Sequence, residues 1–563
     1  MPNLSEERRS LDKASAVAPR EIFDLIVIGA GINGAGIARD AAARGLRVAL
    51  VEREDIGSGT SNYSGRLVHG GLRYLEQGDV RLVRESLRER ERLFRLAPHL
   101  VKPVPLMMPF YSHNRRSKWT IRAGMFLYDV LSFDKSTVSH KVLSRADTLK
   151  RSPAINPQGL AGSAIFMDGQ VVWSERLCME VALAAHADGC KIYTYAEVDG
   201  LLQDDGSVRG VRYKDRLTGE THALGGRVVV NAAGPWVDAV LASDEKVKRR
   251  FIGGTKGSHL VVDPFPGAPS DVVYYESQTD GRLVLIIPWG SQYLIGTTDQ
   301  RFEGDPETAR ADAGEVTYLL REVNWLIPQA GLKESDILYT YSGIRPLPFV
   351  PDKAEWNVSR SHVIHDHAPE HRGLLSIIGG KLTTYRSLAE ETVDVVLKQL
   401  GLKPRACTTA NTPFPGARVA NWANYRDDLA ATSRMPRAAV DRLVEIYGAR
   451  AGDIIALGRE DAALLEPIGP TTRATGAELI FTYSSEFART LTDVMLRRTM
   501  IGHSADRGKG VVARAADILG ARLGWDRERR EREIADYRCY IERYGLPGAA
   551  SARPPADGRR TAA

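Results

Sequence analysis

The chain has 563 residues, 43% of them apolar and 26% charged, which is room for two or three domains with a large core and unlike a disordered or fibrous composition. A formal net charge of +6 is mild at this length and does not demand a nucleic-acid partner, although a basic face toward anionic lipid is compatible with it. Cys178, Cys190, Cys407 and Cys539 are scattered, with no C-x-x-C pair and no nearby His that completes a zinc or iron-sulfur ligand set, so reduced thiols are expected and such a set is not.

Residues 1–21 contain no apolar run and read as a short disordered leader rather than a signal peptide. Nowhere does the chain offer about 18 uninterrupted apolar residues, so any membrane contact is expected to be peripheral. Ile22 to Ile28 is a short run rich in β-branched residues; a glycine cluster follows at once in "DLIVIGAGINGAGIARD" (24–40), then an alanine-rich helix former from Ala35 to Arg44, then "RVALVERED". That order predicts a βαβ unit. In Gly29-x-Gly31-x-x-Gly34 the first glycine permits the tight turn. The second lets backbone approach a pyrophosphate, and the third lets helix pack on strand. Glu52, at the end of the next strand, is placed to accept hydrogen bonds from an adenosine ribose, as in FAD or NAD.

The loop 57–76, "GSGTSNYSGRLVHGGLRYLE", offers hydroxyls such as Thr60 and Ser61 for a pyrophosphate, and Gly70-Gly71 where a flat ring can lie against backbone. The alternative is a plain flexible connection. Residues 79–96 predict an amphipathic helix with Val80, Val83, Leu87 and Phe94 inward and Arg and Glu outward. Residues 114–133, "NRRSKWTIRAGMFLYDVLSF", combine Arg115, Arg116, Lys118 and Arg122 with Trp119, Met125, Phe126, Leu127, Tyr128 and Leu131. Such a segment rests in a bilayer interface or packs as a core helix, and the sequence leaves both open.

From about 160 to 375, short β-rich runs such as "RLVLIIPWG" predict a mostly antiparallel sheet inserted in the nucleotide-binding domain. Two pieces beyond the first unit suit a flavin better than a nicotinamide: "RVVVNAAGPW" (227–236), a strand ending in small residues, and "IIGGKLTTY" (377–385), a second strand-glycine-helix junction whose N–H groups and dipole suit an electron-rich ring. Beyond Gly401 a Pro-containing linker leads to a helical pattern reaching about residue 545 and a low-complexity tail.

"DLIVIGAGINGAGIARDAA", "LVHGGLRYLE", "NAAGPWVD", "KGSHLVV", "IPWGSQYLIGTTD", "YSGIRPL", "GGKLTTYRSLAE" and, at 486–499, "EFARTLTDVMLRRT" resemble, in order, the motifs of the FAD-dependent glycerol-3-phosphate dehydrogenases, within the D-amino-acid-oxidase-like flavoproteins. The resemblance runs from about 22 to about 540. One departure is Gly65-Arg66, where that family often has Ser-Lys, which puts one flavin hydroxyl contact in doubt. The fold it implies is α/β: a Rossmann-like FAD-binding domain (about 22–100, 160–240 and 340–400) with an inserted, mostly antiparallel substrate sheet (about 100–160 and 240–340). A linker at 401–416, an all-α domain at 417–545 and a disordered tail at 546–563 complete it.

What the resemblance implies chemically is oxidation of sn-glycerol 3-phosphate to dihydroxyacetone phosphate with non-covalent FAD. The electrons pass to a membrane quinone, from a peripheral position on the cytoplasmic face of the inner membrane, and a homodimer is compatible with it. FAD is expected on Gly29, Gly31, Ile32, Asn33, Gly34, Glu52, Thr60, Ser61, His69, Gly70, Gly71, Ala233, Gly234, Gly379, Gly380, Lys381, Leu382 and Thr383. The substrate phosphate calls for cations, here Arg73, Arg345, Arg360 and Lys381. Lys381 alternatively stabilises charge on reduced flavin. His259 is the candidate base or orienting group for the hydroxyl proton, and Tyr74 a hydrogen-bonding neighbour. Competing readings are an oxygen-using glycerol-3-phosphate oxidase, a flavin amine oxidase acting on glycine or sarcosine, and a nucleic-acid binder with structural FAD.

Overall fold

The computed structural model describes residue 19 and residues 21–243, 249–351 and 360–548. Most of the leader and tail expected to be disordered lies outside the described residues. Ile22–Ile28 is a strand buried along nearly its whole length, as a strand covered on both faces must be. It pairs in parallel with Val48–Val51 on one side and Thr221–Asn231 on the other. Lys191–Tyr193 extends the sheet beyond Val48–Val51, and Leu374–Ile378 extends it beyond Thr221–Asn231, both in parallel. Helices Ile32–Ala43, Ser174–Ala187 and Tyr385–Gln399 share one apolar cluster with this sheet. The carboxyl ends of four parallel strands therefore bring Gly29, Glu52, Ala232 and Gly379 to one edge, where open α/β sheets bind ligands.

A second sheet of ten strands is antiparallel except where Val272–Glu276 pairs with Val101–Tyr111. Helix Ala313–Leu326 covers one of its faces. The inserted sheet takes more of the chain than the domain bounds implied by the resemblance. It takes less than the whole β-rich stretch from about 160 to 375, since Lys191–Tyr193 and Thr221–Asn231 belong to the first sheet. Leu160–Val171 and Ile337–Arg345, assigned above to nucleotide-binding segments, are strands of the second sheet. The physical reason is that both are long extended runs whose partners, Val101–Tyr111 and Thr255–Val262, are invisible to local patterning.

Helix Val80–Leu96 starts at Asp79, whose side chain accepts from the Leu82 N–H at 3.1 Å. Its charged face is not wholly outside, in contrast to the reading of its sequence. Glu89 and Arg90 are buried, paired with Arg386 at 2.7 Å and Asp168 at 2.7 Å. The 401–416 segment is held against the first domain: Phe414 is fully buried, and the Gly416 N–H donates to Glu180 Oε2 at 2.7 Å. The helices beyond it pack on the second sheet in a shared core, where Leu479, Val494 and Leu519 meet Phe166, Val261 and Tyr339. No helix among the described residues is long and apolar enough to cross a membrane.

Candidate active site

A cavity of about 560 Å³ runs between the two sheets, from Glu52 past Gly31 to Lys381 and Arg345. At its nucleotide end, Gly29 (φ +99°) turns the chain off its strand; a Cβ there would meet the Ala232 carbonyl oxygen at 2.7 Å. A Cβ on Gly34 would lie 1.8 Å from the Gly29 oxygen, so Gly34 serves helix packing and is not on the cavity wall. By contrast, a Cβ on Gly31 would meet nothing closer than Ser61 Oγ at 3.6 Å, so the space before the helix N-terminus is open. The Ile32 N–H donates to Ser61 Oγ at 3.1 Å, and Thr60 Oγ1 donates to the Ile344 carbonyl at 2.6 Å. Glu52 accepts from the Ala30 N–H at 2.7 Å and the Glu54 N–H at 2.9 Å. Burial outweighs these bonds and pushes its carboxyl up to about 7.

This end fits the ADP half of a dinucleotide: an open helix N-terminus, a buried acid for ribose, and Asn33 Oδ1, buried without a partner among the described residues. The second glycine pair lies close by, for Asn33 Nδ2 donates to the Gly379 carbonyl at 3.2 Å. The His69 N–H donates to Thr383 Oγ1 at 3.3 Å, joining the 57–76 loop to that junction. Ala233, Gly234, Gly71 and Leu382 line the same space. Gly70 does not line it: it packs against Tyr128 and Leu87, and its N–H donates to Tyr128 Oη at 3.0 Å and Asp168 Oδ1 at 3.3 Å.

The far end is cationic. Lys381 is held by Ser86 Oγ at 2.9 Å and sits 4.5 Å over the ring of Tyr74, and burial lowers its ammonium below the ordinary value. Arg345 donates to Asp299 Oδ1 at 3.0 Å, Thr297 Oγ1 at 2.9 Å and the Thr298 carbonyl at 3.2 Å. Arg360 reaches the other oxygen of Asp299 at 3.3 Å. His259 is buried against Tyr341 with ring centroids 4.9 Å apart, and its Nδ1 has no partner among the described residues. Burial, with Arg345 and Arg66 nearby, pulls its imidazole down to about 3, so it is neutral across physiological pH.

The cavity thus gathers every expected site residue except Gly34, Gly70 and Arg73; the side chain of Arg73 lies outside the described residues. Arg66, at the departure from the usual motif, turns away into a buried bidentate pair with Glu175 at 2.7 Å to each oxygen. Asp299, which braces both arginines, and Ser86, which holds Lys381, were not foreseen. Asp299 follows "IGTT" at a strand end, a signal that a search for cations overlooks; Ser86 carries no local signal at all. Among the described residues no cluster of His, Cys, Asp and Glu is placed to hold a metal ion.

Residues 24–386 match the family described as FAD dependent oxidoreductase, and residues 407–530 match the C-terminal domain of alpha-glycerophosphate oxidase. The glycerol-3-phosphate dehydrogenase of Synechocystis sp. is 42% identical over 537 residues, spanning 93% of this chain and 97% of its own. That of Mycobacterium leprae is 36% identical, spanning 96% of this chain and 92% of its own. The solved glycerol-3-phosphate dehydrogenase of Bacillus halodurans, complexed with FAD, aligns with a TM-score of 0.75 at 28% identity, covering 95% of this chain and 97% of that one. A glycine oxidase from Geobacillus kaustophilus shares the fold over 71% of this chain, with a TM-score of 0.50 at 22% identity.

Proposed function

Since the chain belongs to the FAD-dependent oxidoreductases, among the glycerol-3-phosphate dehydrogenases, we propose that it oxidises sn-glycerol 3-phosphate to dihydroxyacetone phosphate and delivers the electrons to a membrane quinone. The observation that carries this reading is the cation group of Arg345, Arg360 and Lys381 beside a neutral His259, at the far end of a cavity that opens on a dinucleotide fingerprint. Bound FAD supplies a two-electron acceptor for the hydride leaving C2.

The protein's own residues do the rest. Asp299 holds the two guanidinium groups in place before substrate arrives, so little side-chain freedom is lost on binding a phosphate dianion. His259 is positioned to take the C2 hydroxyl proton. A dianion on Arg345 offsets the positive charge that helps depress His259, which makes the imidazole a better base in the complex than in the empty cavity. Lys381, desolvated beside Tyr74, would supply positive charge to offset the negative charge of a reduced flavin or of the phosphate.

Support for a quinone at a cytoplasmic membrane face comes from helix Lys118–Leu131. One side, with Ile121, Met125 and Tyr128, is core; the other leaves Trp119 64% and Phe126 67% exposed, next to Phe133 at 78%. The core reading therefore holds for one face, and the exposed face is the one that would meet a bilayer. Apolar side chains interleaved with Arg115 and Arg122 suit an anionic lipid interface, whereas Arg116 is paired with the buried Glu276 at 2.8 Å. Replacing Trp119 and Phe126 by Ser is expected to weaken binding to anionic vesicles without changing turnover with a soluble dye; unchanged vesicle binding would remove this support.

The first test is spectroscopic. Oxidised flavin bands in the anaerobic protein should bleach on adding sn-glycerol 3-phosphate and persist with glycine or sarcosine. The opposite pattern returns the site to amine oxidation. Turnover in air that yields hydrogen peroxide in proportion to product, and that a quinone analogue does not accelerate, favours the oxidase instead.

A further inference from the structure

The same cavity holds two arginines that the reaction above does not use. Arg310 and Arg543 both line it, Arg543 coming from the last turn of the C-terminal helical region. The other guanidinium groups on the wall each have a carboxylate: Arg53 has Glu307, Arg282 has Asp280, and Arg345 and Arg360 share Asp299. Among the described residues Arg310 donates only to the carbonyls of Glu307 and Ala309, both at 2.8 Å. Arg543 donates to Tyr63 Oη at 3.3 Å and lies 3.7 Å over the ring of Tyr540, while its Nε is buried without a partner among the described residues. Burial and then Arg543 lower the guanidinium of Arg310, whereas at Arg543 burial is outweighed by the phenols of Tyr540 and Tyr63, which hold its guanidinium up. Two like charges with no carboxylate partner among the described residues, on the wall of one cavity, call for a doubly charged anion.

We propose that Arg310 and Arg543 hold the diphosphate of FAD, so that the C-terminal helical region supplies part of the cofactor site. This rests on the FAD reading of the cavity. Tyr63, which positions Arg543, is two residues from Ser61, whose hydroxyl caps the helix N-terminus at Gly31. Both guanidinium groups line the same cavity as Gly31 and Ser61, and two cations match the two charges of a diphosphate. Substrate phosphate has its own cations at the far end. The turn bearing Arg543 is fixed to the second sheet, since Thr340 Oγ1 donates to the Gly545 carbonyl at 3.1 Å, and Asn62 Nδ2 donates to Tyr544 Oη at 3.3 Å. Arg543 is therefore preset, and releasing the diphosphate requires no movement of the helical region as a whole.

The experiment titrates FAD into flavin-stripped full-length protein by fluorescence, with ADP as competitor. Arg543→Gln and Arg310→Gln are each expected to raise the FAD dissociation constant about ten-fold or more, as loss of a charge-assisted contact to phosphate does. ADP should lose affinity in parallel, Arg543→Lys should fall between, and the KM for sn-glycerol 3-phosphate in FAD-saturated enzyme should stay put. Unchanged FAD and ADP affinity in both Gln variants overturns the proposal, and a raised substrate KM in those variants would give the pair to the substrate instead. A wild-type chain that takes up no FAD overturns the cofactor reading and this proposal with it; uptake by wild type and Gln variants alike overturns this proposal alone.

Discussion

At His259 burial and charge act in the same direction. An imidazole that ordinarily titrates near 6.5 is held at about 3 by burial and by Arg345 and Arg66, so the free enzyme's kcat/KM should show no acid limb near pH 6.5 from this group. His259→Asn should lower kcat by about 10²–10⁴ with flavin content unchanged; an acid limb near 6.5 that this variant abolishes would contradict the assignment. The linkage has a definite sign. The folded state excludes a proton that the unfolded chain binds below 6.5, so the stability His259 contributes is full above 6.5 and is lost as pH falls toward 3. Glu52 has the opposite sign. Its folded carboxyl titrates at about 7, above the ordinary 4.5, and a ribose bound there as proposed would donate to the ionised form. FAD affinity should therefore rise as pH climbs through 7, with a proton released on binding, and Glu52→Gln should flatten that dependence in a pH series of FAD titrations.

The helix Ile32–Ala43 and the turn before it separate folding from binding. A methyl on Gly34 would sit 1.8 Å from the Gly29 oxygen, and neither the turn nor the helix can move without breaking the strand-helix contact. Gly34→Ala is expected to cost about 3 kcal/mol or more of stability, seen as a lower melting temperature even without flavin. Gly31 has ordinary φ (−67°) and free space, its Cβ meeting only Ser61 Oγ at 3.6 Å. Gly31→Ala should therefore melt like wild type when stripped of FAD yet bind FAD poorly, because the methyl occupies the room of the pyrophosphate. Equal losses of stability in the two variants would show that Gly31, too, is there for packing.

Across the whole molecule, what was legible followed how local each interaction is. Gly29, Gly31, Gly34 and Glu52 act within one βαβ unit, so their spacing announces them. Arg345 and Lys381 could be placed because they sit in motifs, but the brace of Lys381 could not, since Ser86 is 295 residues away; the pair of Glu89 with Arg386, across 297, is hidden in the same way. Helix Val80–Leu96 was misread on one face for that reason, since a buried Glu looks like a solvated one until its partner is known. The contact between the helical region and the nucleotide domain is of this long-range kind. Asp55, just past the second parallel strand, accepts from Arg498 at 2.7 Å and Arg497 at 2.5 Å, all three buried; the arginines outweigh burial and hold its carboxyl below the ordinary range. Arg176 of the first domain likewise meets Glu486 at 2.5 and 2.8 Å. Buried pairs broken from one side leave a charge with neither water nor partner. Asp55→Asn should thus lower stability by about 3–5 kcal/mol. Because the contact spans both regions, denaturant should unfold helix content and release flavin in a single transition at a lower midpoint. Asp427→Asn, which removes the exposed partner of Arg437, should leave that midpoint where it is. Two separated transitions in wild type would mean that the helical region folds independently of the domain it clasps.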